Sequence, residues 1–381
     1  MSKKLESVAI FHYGGNYIRG SETCLLHTID ALEEIGVDIL LVSNNPTLAQ
    51  NCVSDSITHI TNHDYAETMI DGSDFRLPLA RYARALKQTR SLLKKQKTQL
   101  ILCSGGLPNQ LLVPLGKLLK IPVVCHLHHP APRSYYFFWL IKYTTALFYP
   151  SRFTQLDVKK KCGRLGAVIY NAVDLKRRYR PASSPNASWR KQYGIAADSI
   201  VIGQVAALTA HKRPDLLIKS FAEALKTAPN MHLVLIGQGP LEQQLQRQAN
   251  ELGASDKVTL TGYVEDVLPF LQHVININVL ASIEEGLGVS VIEASGCALP
   301  SIVSDCTGLK EVVKDGITGV KYPPDDYQAL TIAITKLAQN PELSRELGQK
   351  ARAFALEKFS LIEYKQSIQA LFQKQLQSQQ K

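Results

Sequence analysis

The sequence predicts an α/β protein built from two doubly wound domains, each a parallel sheet covered by helices on both faces. Three observations predict it. Short apolar runs rich in Val, Ile and Leu alternate with longer stretches of helical period along the chain, the pattern of parallel strands buried on both faces. A chain of 381 residues, 45% of them hydrophobic, exceeds one ordinary core and suits two. The composition breaks near Ala182-Ser183-Ser184-Pro185-Asn186, the most Pro/Ser-rich stretch, and a charge bias ends there.

In the first half the expected strands are Ser7–His12, Asp38–Val42, Gln99–Cys103, Ile121–His126, Ala146–Pro150 and Ala167–Tyr170. Helical stretches such as Glu22–Ile35 and Leu79–Lys95 lie between several of them. In the second half the expected strands are Ser199–Val205, His232–Ile236, Val258–Thr261, Val274–Asn278 and Ser301–Ser304. Expected helices are Asp215–Thr227, Leu241–Leu252, Leu287–Gly296 and Gln328–Leu337. The domains are then residues 1–180 and 181–355, with a C-terminal helix over 356–381 packing back toward the first. Two such domains are expected to face each other across a cleft, since doubly wound sheets bind ligands beyond the carboxyl ends of their strands.

Several classes are disfavoured. The seven cysteines form no C-x-x-C pair, and most lie in apolar runs such as Leu100-Ile101-Leu102-Cys103. They read as small buried hydrophobes in a reducing compartment, not as zinc ligands. The first apolar run, Ser7–His12, is too short for a signal-peptide core. The greasiest stretch, Tyr135 to Pro150, is interrupted by Lys142 and falls short of the roughly 20 apolar residues of a membrane span. The expected location is therefore cytoplasmic. The net charge is +10, but residues 1–180 carry 24 Lys+Arg against 13 Asp+Glu, and residues 181–381 carry 19 against 20. A basic half can attract nucleic acid, an anionic membrane or an acidic substrate. No recognisable nucleic-acid module accompanies it, so no nucleic-acid partner is expected.

The most informative segment is Ser282-Ile283-Glu284-Glu285-Gly286-Leu287-Gly288-Val289-Ser290-Val291-Ile292-Glu293-Ala294. Gly286 and Gly288 permit close backbone approach at the start of a helix. The helix N-terminus offers unpaired N–H groups and a positive dipole end, which suit an anion. Glu293 lies among Val291, Ile292 and Ala294, and an acid in such company needs a partner; sugar hydroxyls would serve. The plainer reading is that Glu284 and Glu285 only complement the helix dipole, worth about 0.3–1 kcal/mol each.

In full, the segment resembles the E-x7-E signature of the retaining family-4 glycosyltransferases of the GT-B fold. Ser282, Glu285, Gly286, Leu287, Gly288, Glu293 and Ala294 fill the pattern, followed by Leu299-Pro300 and the strand to Asp305. The resemblance implies that Glu285 contacts the donor sugar and that Glu293 holds the ribose hydroxyls. It implies that the amides of Gly286, Leu287 and Gly288 meet donor sugar and phosphate. Tyr170-Asn171-Ala172-Val173-Asp174 resembles the family's N-G-V-D, and Ile236-Gly237-Gln238-Gly239-Pro240 its G-x-G-P turn near the base. Gly262-Tyr263-Val264 resembles the element whose backbone meets the base. The loop ending Arg19-Gly20-Ser21-Glu22 resembles G-G-x-E, which gives Gly20 a donor-binding role, although a plain turn fits the glycines equally well.

Lys212, in Val205-Ala206-Ala207-Leu208-Thr209-Ala210-His211-Lys212-Arg213, matches the lysine of the family's G-R-L-x-x-x-K-G, which grips the donor diphosphate. Ala207 stands where the arginine belongs. A lost charge-assisted hydrogen bond costs about 1.5–3 kcal/mol. Arg213 or Arg19 are the candidates to replace it. In His126-Leu127-His128-His129-Pro130 the family's histidine near the donor sugar aligns with His128, with His126 the rival assignment. A structural histidine is the simpler alternative.

The resemblance therefore implies transfer of a sugar from a nucleoside diphosphate donor, such as a UDP- or GDP-sugar, to a hydroxyl acceptor, with retention of configuration. His128, Lys212 and Glu285 are the catalytic candidates. No D-x-D motif appears, so no metal or other cofactor is expected. The acceptor is expected to be a glycan or lipid-linked molecule, in polysaccharide, lipopolysaccharide or glycolipid synthesis. The basic stretch Leu79–Lys97 with Arg133–Leu140 suggests a patch docking on the inner face of an anionic membrane, against the alternative of a core helix with a solvated face. A second reading is a catalytically weakened GT-B protein acting as a binding subunit, for which Ala207 is the one supporting feature.

Overall fold

The structure, a computed structural model, describes residues 4–15, 18, 20–61, 78–184 and 186–378. The chain forms two compact units, Met1–Asn171 with Ile362–Lys381, and Ala172–Leu361. The division thus falls at Asn171/Ala172, before the Pro/Ser-rich stretch at which residues 180 and 181 were expected to part.

Among the described residues the first unit carries seven strands: β1 (Ser7–His12), β2 (Asp38–Ser43), β3 (Ile57–Thr61), β4 (Leu100–Ser104), β5 (Val123–His126), β6 (Ala146–Tyr149) and β7 (Ala167–Val168). They lie in the order β3-β2-β1-β4-β5-β6-β7, and every pairing is parallel. Every residue of β1 and β4 is buried, as expected of central strands covered on both faces. Phe11, Leu40, Ile101, Leu115, Val123, Leu147 and Tyr149 belong to the core of this unit. The order reverses between β1 and β4. At such a reversal the connections leave on opposite sides of the sheet and open a crevice at the strands' carboxyl ends.

The second unit repeats the plan with β8 (Ile200–Val205), β9 (Met231–Ile236), β10 (Val258–Leu260), β11 (Ile277–Leu280), β12 (Ser301–Ser304) and β13 (Gly319–Tyr322). The order β10-β9-β8-β11-β12-β13 reverses between β8 and β11, again with all strands parallel. Ile202, Phe221, Leu233, Leu235, Ile277, Ile302 and Ile334 belong to its core.

Local chemistry bounds the helices. Ser151 caps the helix Arg152–Cys162 by accepting the Thr154 amide at 3.1 Å, and Gly163 closes it at φ 74°. Asp326 caps Tyr327–Gln339 in the same way at 2.9 Å. The run expected as strand Val274–Asn278 forms its strand at Ile277–Leu280. Val274 instead ends the helix Leu268–His273, donating its amide to Phe270 O at 3.0 Å. The single helix expected over 356–381 is instead the end of one helix and the whole of a second. Pro341–Lys358 stays with the second unit, and Leu361–Ser378 lies almost wholly in the first. There the buried Tyr364 hydroxyl bonds Thr28 Oγ1 at 2.7 Å, and Gln369 donates to Ala31 O at 2.7 Å.

Candidate functional site

The reversal point of the second sheet gathers most of the expected site. After β8 the chain runs through Ala206–Leu208, makes a single turn of 3-10 helix at Ala210–Lys212, and passes Arg213 at φ 50° into the helix Pro214–Leu225. The buried Gln204 amide donates to Lys212 O at 3.0 Å and fixes that turn. Lys212 Nζ then reaches across to Glu285, beyond the end of β11, and forms an ion pair with Oε1. The two side chains are 19% and 12% exposed, so both charges are largely out of water and each needs the other. Ser282 Oγ donates to the same Oε1 at 2.7 Å, and the Glu285 amide donates to Thr307 Oγ1 at 2.7 Å.

The glycines here answer to contact. A Cβ on Gly308 would meet Gly286 O at 2.4 Å and Leu287 Cα at 2.8 Å, so the loop after β12 lies directly on the Gly286-Leu287 backbone. Gly288 has φ 100° and opens the helix Val289–Gly296, two residues later than expected at Leu287, with no side-chain cap. The left-handed turn at Gly288 is what delays the helix. Leu287 itself is buried. Gly237, at φ 142°, lies against the carbonyl of Ala206, and its amide donates to Gly262 O at 3.0 Å. Val264 follows that bridge, half-buried in the loop after β10.

Glu293 lies one turn into the helix Val289–Gly296. Its surface is only partly covered, yet the surrounding protein pushes its carboxyl up to about 7, against the hydrogen bond of Tyr179 and the charge of Arg178; Asp266 adds to the rise. Tyr179 is buried, and Arg352 holds both Tyr179 O, at 3.2 Å, and Gly296 O. A hydroxyl of the chain's own Tyr179 therefore bonds this acid, a partner that the sequence did not suggest.

The substitute for the missing arginine at Ala207 is not provided by Arg213 as the structure stands. Its guanidinium is engaged by Asp215, at 3.1 Å, and by Asp325. Arg19 lies outside the described residues.

At the reversal point of the first sheet the strands end in polar groups aligned by register, with His12 beside Ser104 and Ser104 beside His126. His128 Nε2 lies 3.0 Å from Ser104 Oγ, which lies 3.0 Å from His12 Nδ1, and His12 Nε2 lies 3.1 Å from Glu22 Oε1. His126 is buried and stacked on Phe148 at 4.1 Å between centroids, and burial pushes it down to about 3. His128 is partly exposed, which makes it the more reachable of the two rings. Gly20 is exposed at the start of the helix Gly20–Glu33. His12 and Ser104 were missed by sequence reasoning. Their only signal is a polar residue closing each of two otherwise apolar strands. No group of three or more His, Cys, Asp or Glu among the described residues is arranged to hold a metal ion.

Two family models divide the chain between them. "Glycosyltransferase Family 4" matches residues 18–177, and "Glycosyl transferases group 1" matches residues 185–354. The chain belongs to the group 1, family 4 glycosyltransferases. Among relatives, EpsD of Bacillus subtilis (strain 168), whose name assigns it provisionally as a glycosyltransferase, is 31% identical over 57% of this chain and 58% of its own. The GDP-mannose-dependent alpha-(1-6)-phosphatidylinositol monomannoside mannosyltransferase of Mycolicibacterium smegmatis is 30% identical over 47% of this chain and 49% of its own. The chain thus spans about half the length of the curated relatives it matches. The crystal structure of Anabaena HepE in complex with UDP and glucose superposes with a TM-score of 0.82 at 19% identity, covering 97% of this chain and all of that one. The fold is GT-B. In this family member the second unit brings Lys212, Glu285 and the Gly286–Gly288 backbone to one end of its sheet. The first unit brings His128 to the corresponding end of its own.

Proposed function

We propose that the protein transfers a sugar from a nucleoside diphosphate donor to a hydroxyl acceptor. The observation that carries this reading is the Lys212–Glu285 pair at the reversal point of the second sheet, beside a glycine-opened helix with no side-chain cap. A leaving diphosphate gains negative charge as the glycosidic bond breaks. A lysine and helix-terminal amides are donors that favour that charge more in the transition state than before it. Glu285 keeps Lys212 oriented and offers a carboxylate to the sugar hydroxyls. Glu293 holds the ribose hydroxyls, exchanging its bond to Tyr179 for them. UDP in the HepE structure and GDP-mannose in the mycobacterial relative's name support a UDP- or GDP-sugar as donor. His128 is the proposed catalytic histidine. The reaction is proposed to retain anomeric configuration and to need no metal, with Lys212 and the amides supplying the positive charge.

The acceptor is proposed to be a glycan or lipid-linked hydroxyl reached from an anionic membrane. Arg84, Lys87, Arg90, Lys94, Lys95 and Lys97 are all exposed on or just after the helix Leu79–Lys95.

The test is nucleoside diphosphate release against a panel of UDP- and GDP-sugars. One donor is expected to turn over. Lys212→Ala and Glu285→Ala are each expected to lower kcat by about a hundredfold to a thousandfold, the scale of a donor aimed at developing charge. Undiminished turnover by both variants would contradict the assignment, and NMR of the product anomer tests retention.

A further inference from the structure

His128 has two ring nitrogens, and the contacts behind it determine which one carries the proton. Glu22, His12 and Ser104 are each 3% exposed, sealed at the ends of the helix Gly20–Glu33, β1 and β4. Glu22 Oε1 faces His12 Nε2 at 3.1 Å and its Oε2 accepts the Ser21 hydroxyl at 2.9 Å, so both carboxylate oxygens meet donors. Glu22 is therefore an ionised acceptor at neutral pH, so His12 Nε2 must carry a hydrogen. In neutral His12 the other nitrogen, Nδ1, is then bare and accepts the Ser104 O–H at 3.0 Å. A hydroxyl has one proton. Once it is given to His12, Ser104 can only accept from His128, so His128 Nε2 carries the hydrogen and Nδ1 is a bare acceptor. That Nδ1 is buried and has no hydrogen-bond partner among the described residues. Burial, with His126, His12 and His129 nearby, drives His128 well toward its neutral form, which Glu22 opposes only in part.

We propose that Glu22, His12 and Ser104 are positioning residues that hold His128 in the tautomer protonated at Nε2 and leave its Nδ1 as a bare acceptor. The proposal rests on the transferase reading of His128. Gly14 belongs to the same device. A Cβ there would meet Glu22 Oε1 at 2.6 Å and His12 Nε2 at 2.8 Å, so the chain passes over the pair where only glycine fits. A proton added to His12 would reverse the order: Nδ1–H would donate to Ser104, and Ser104 to His128 Nε2. His128 would then carry its proton on Nδ1 and could no longer accept there.

The test reads the tautomer directly, by two-bond 15N–1H correlation on the full chain labelled with 15N-histidine, without substrate and above pH 8. The His128 signals are assigned by their loss in His128→Gln. The native protein is expected to show His128 as the Nε2–H form, and Ser104→Ala is expected to move it toward Nδ1–H. Turnover with the donor found above is expected to fall about tenfold to a hundredfold in kcat in Ser104→Ala, the scale of one hydrogen bond to a reacting group, with donor KM little changed. Ser104→Thr, which keeps the hydroxyl, is expected to restore most of it. An Nδ1–H tautomer in the native protein, or a tautomer unmoved by Ser104→Ala, would overturn the proposal. Absence of turnover with every donor, beside an intact Nε2–H signal, would count against the transferase reading and not against this one.

Discussion

At the scale of single residues, Glu293 shows a site group whose environment works against its charge. Its native carboxyl titrates near 7, against an ordinary value of 4.5. Below pH 4.5 native and unfolded chains both bind the proton. Between 4.5 and 7 the native chain keeps a proton that the unfolded chain has released, so stability falls as pH rises through that window. The full cost, on the order of 3 kcal/mol, is present above pH 7. Glu293→Gln is neutral throughout and still meets Tyr179. The fall in melting temperature from pH 5 to pH 8 is expected to flatten in that variant, measured without nucleotide. An unchanged pH profile would mean that the acid is better solvated than its surroundings indicate. A ligand whose hydroxyls satisfy the carboxylate would relieve the same cost, which ties this group's strain to binding.

At the scale of elements, the site is a set of loops laced together at strand ends. The loop after β8, which carries Ala207 and leads to Lys212, is bonded along its length to the turn after β9. Ala206 N meets Ile236 O at 3.0 Å, Leu208 N meets Gln238 O at 3.0 Å, and Leu241 N meets Leu208 O at 3.2 Å. Gly237 and Gly239 lie directly under the carbonyls of Ala206 and Leu208 and leave no room for a side chain. Gly237 also has a left-handed φ that other residues rarely adopt. Gly237→Ala is expected to cost about 1–3 kcal/mol in denaturant unfolding and to raise donor KM, because the displaced loop carries Lys212 with it. A variant with unaltered KM would show that the loop relaxes without moving the lysine.

At the scale of the whole molecule, charge and connectivity both distinguish the two units. The positive excess lies in residues 1–180, and no helix among the described residues is long and apolar enough to cross a membrane. The exposed cations of Leu79–Lys97 face away from the residues that the helix buries, Ala85, Thr89 and Leu93. Co-sedimentation with phosphatidylserine vesicles at low salt is expected, lost at about 0.5 M salt and absent with phosphatidylcholine. Charge reversal at Arg84, Lys87 and Lys94 is expected to abolish it. Equal binding to both vesicles, or none to either, would remove the membrane from the account of the acceptor. The C-terminal helix Leu361–Ser378 belongs to the first unit, through Tyr364 on Thr28 and Lys365 on Glu34 at 2.8 Å. The first and last described segments of the chain thus belong to one unit.

Much of this was legible in the sequence. The strands of both central sheets follow from apolar runs, because a parallel strand buried on both faces has no polar face to hide it. The candidates Lys212, Glu285 and Glu293 came from the resemblance to the family's sequence pattern, and the structure pairs Lys212 with Glu285. Other elements were not legible. Ile57–Thr61 is an edge strand with three polar residues of five and no uniformly apolar face, and Gly319–Tyr322 is too short to stand out, so each is a strand by virtue of the neighbour it pairs with. By itself the sequence determined two parallel α/β units, since each strand depends on residues close together in the chain. Only the tertiary structure decided that Tyr179 bonds Glu293, that Arg213 is held by two aspartates, and that Glu22, His12, Ser104 and His128 lie in one hydrogen-bonded row. His12 and Ser104 are 92 residues apart. A hydrogen bond across that distance exists only because β1 and β4 are neighbours in the sheet, and no local pattern of residues encodes that neighbourhood.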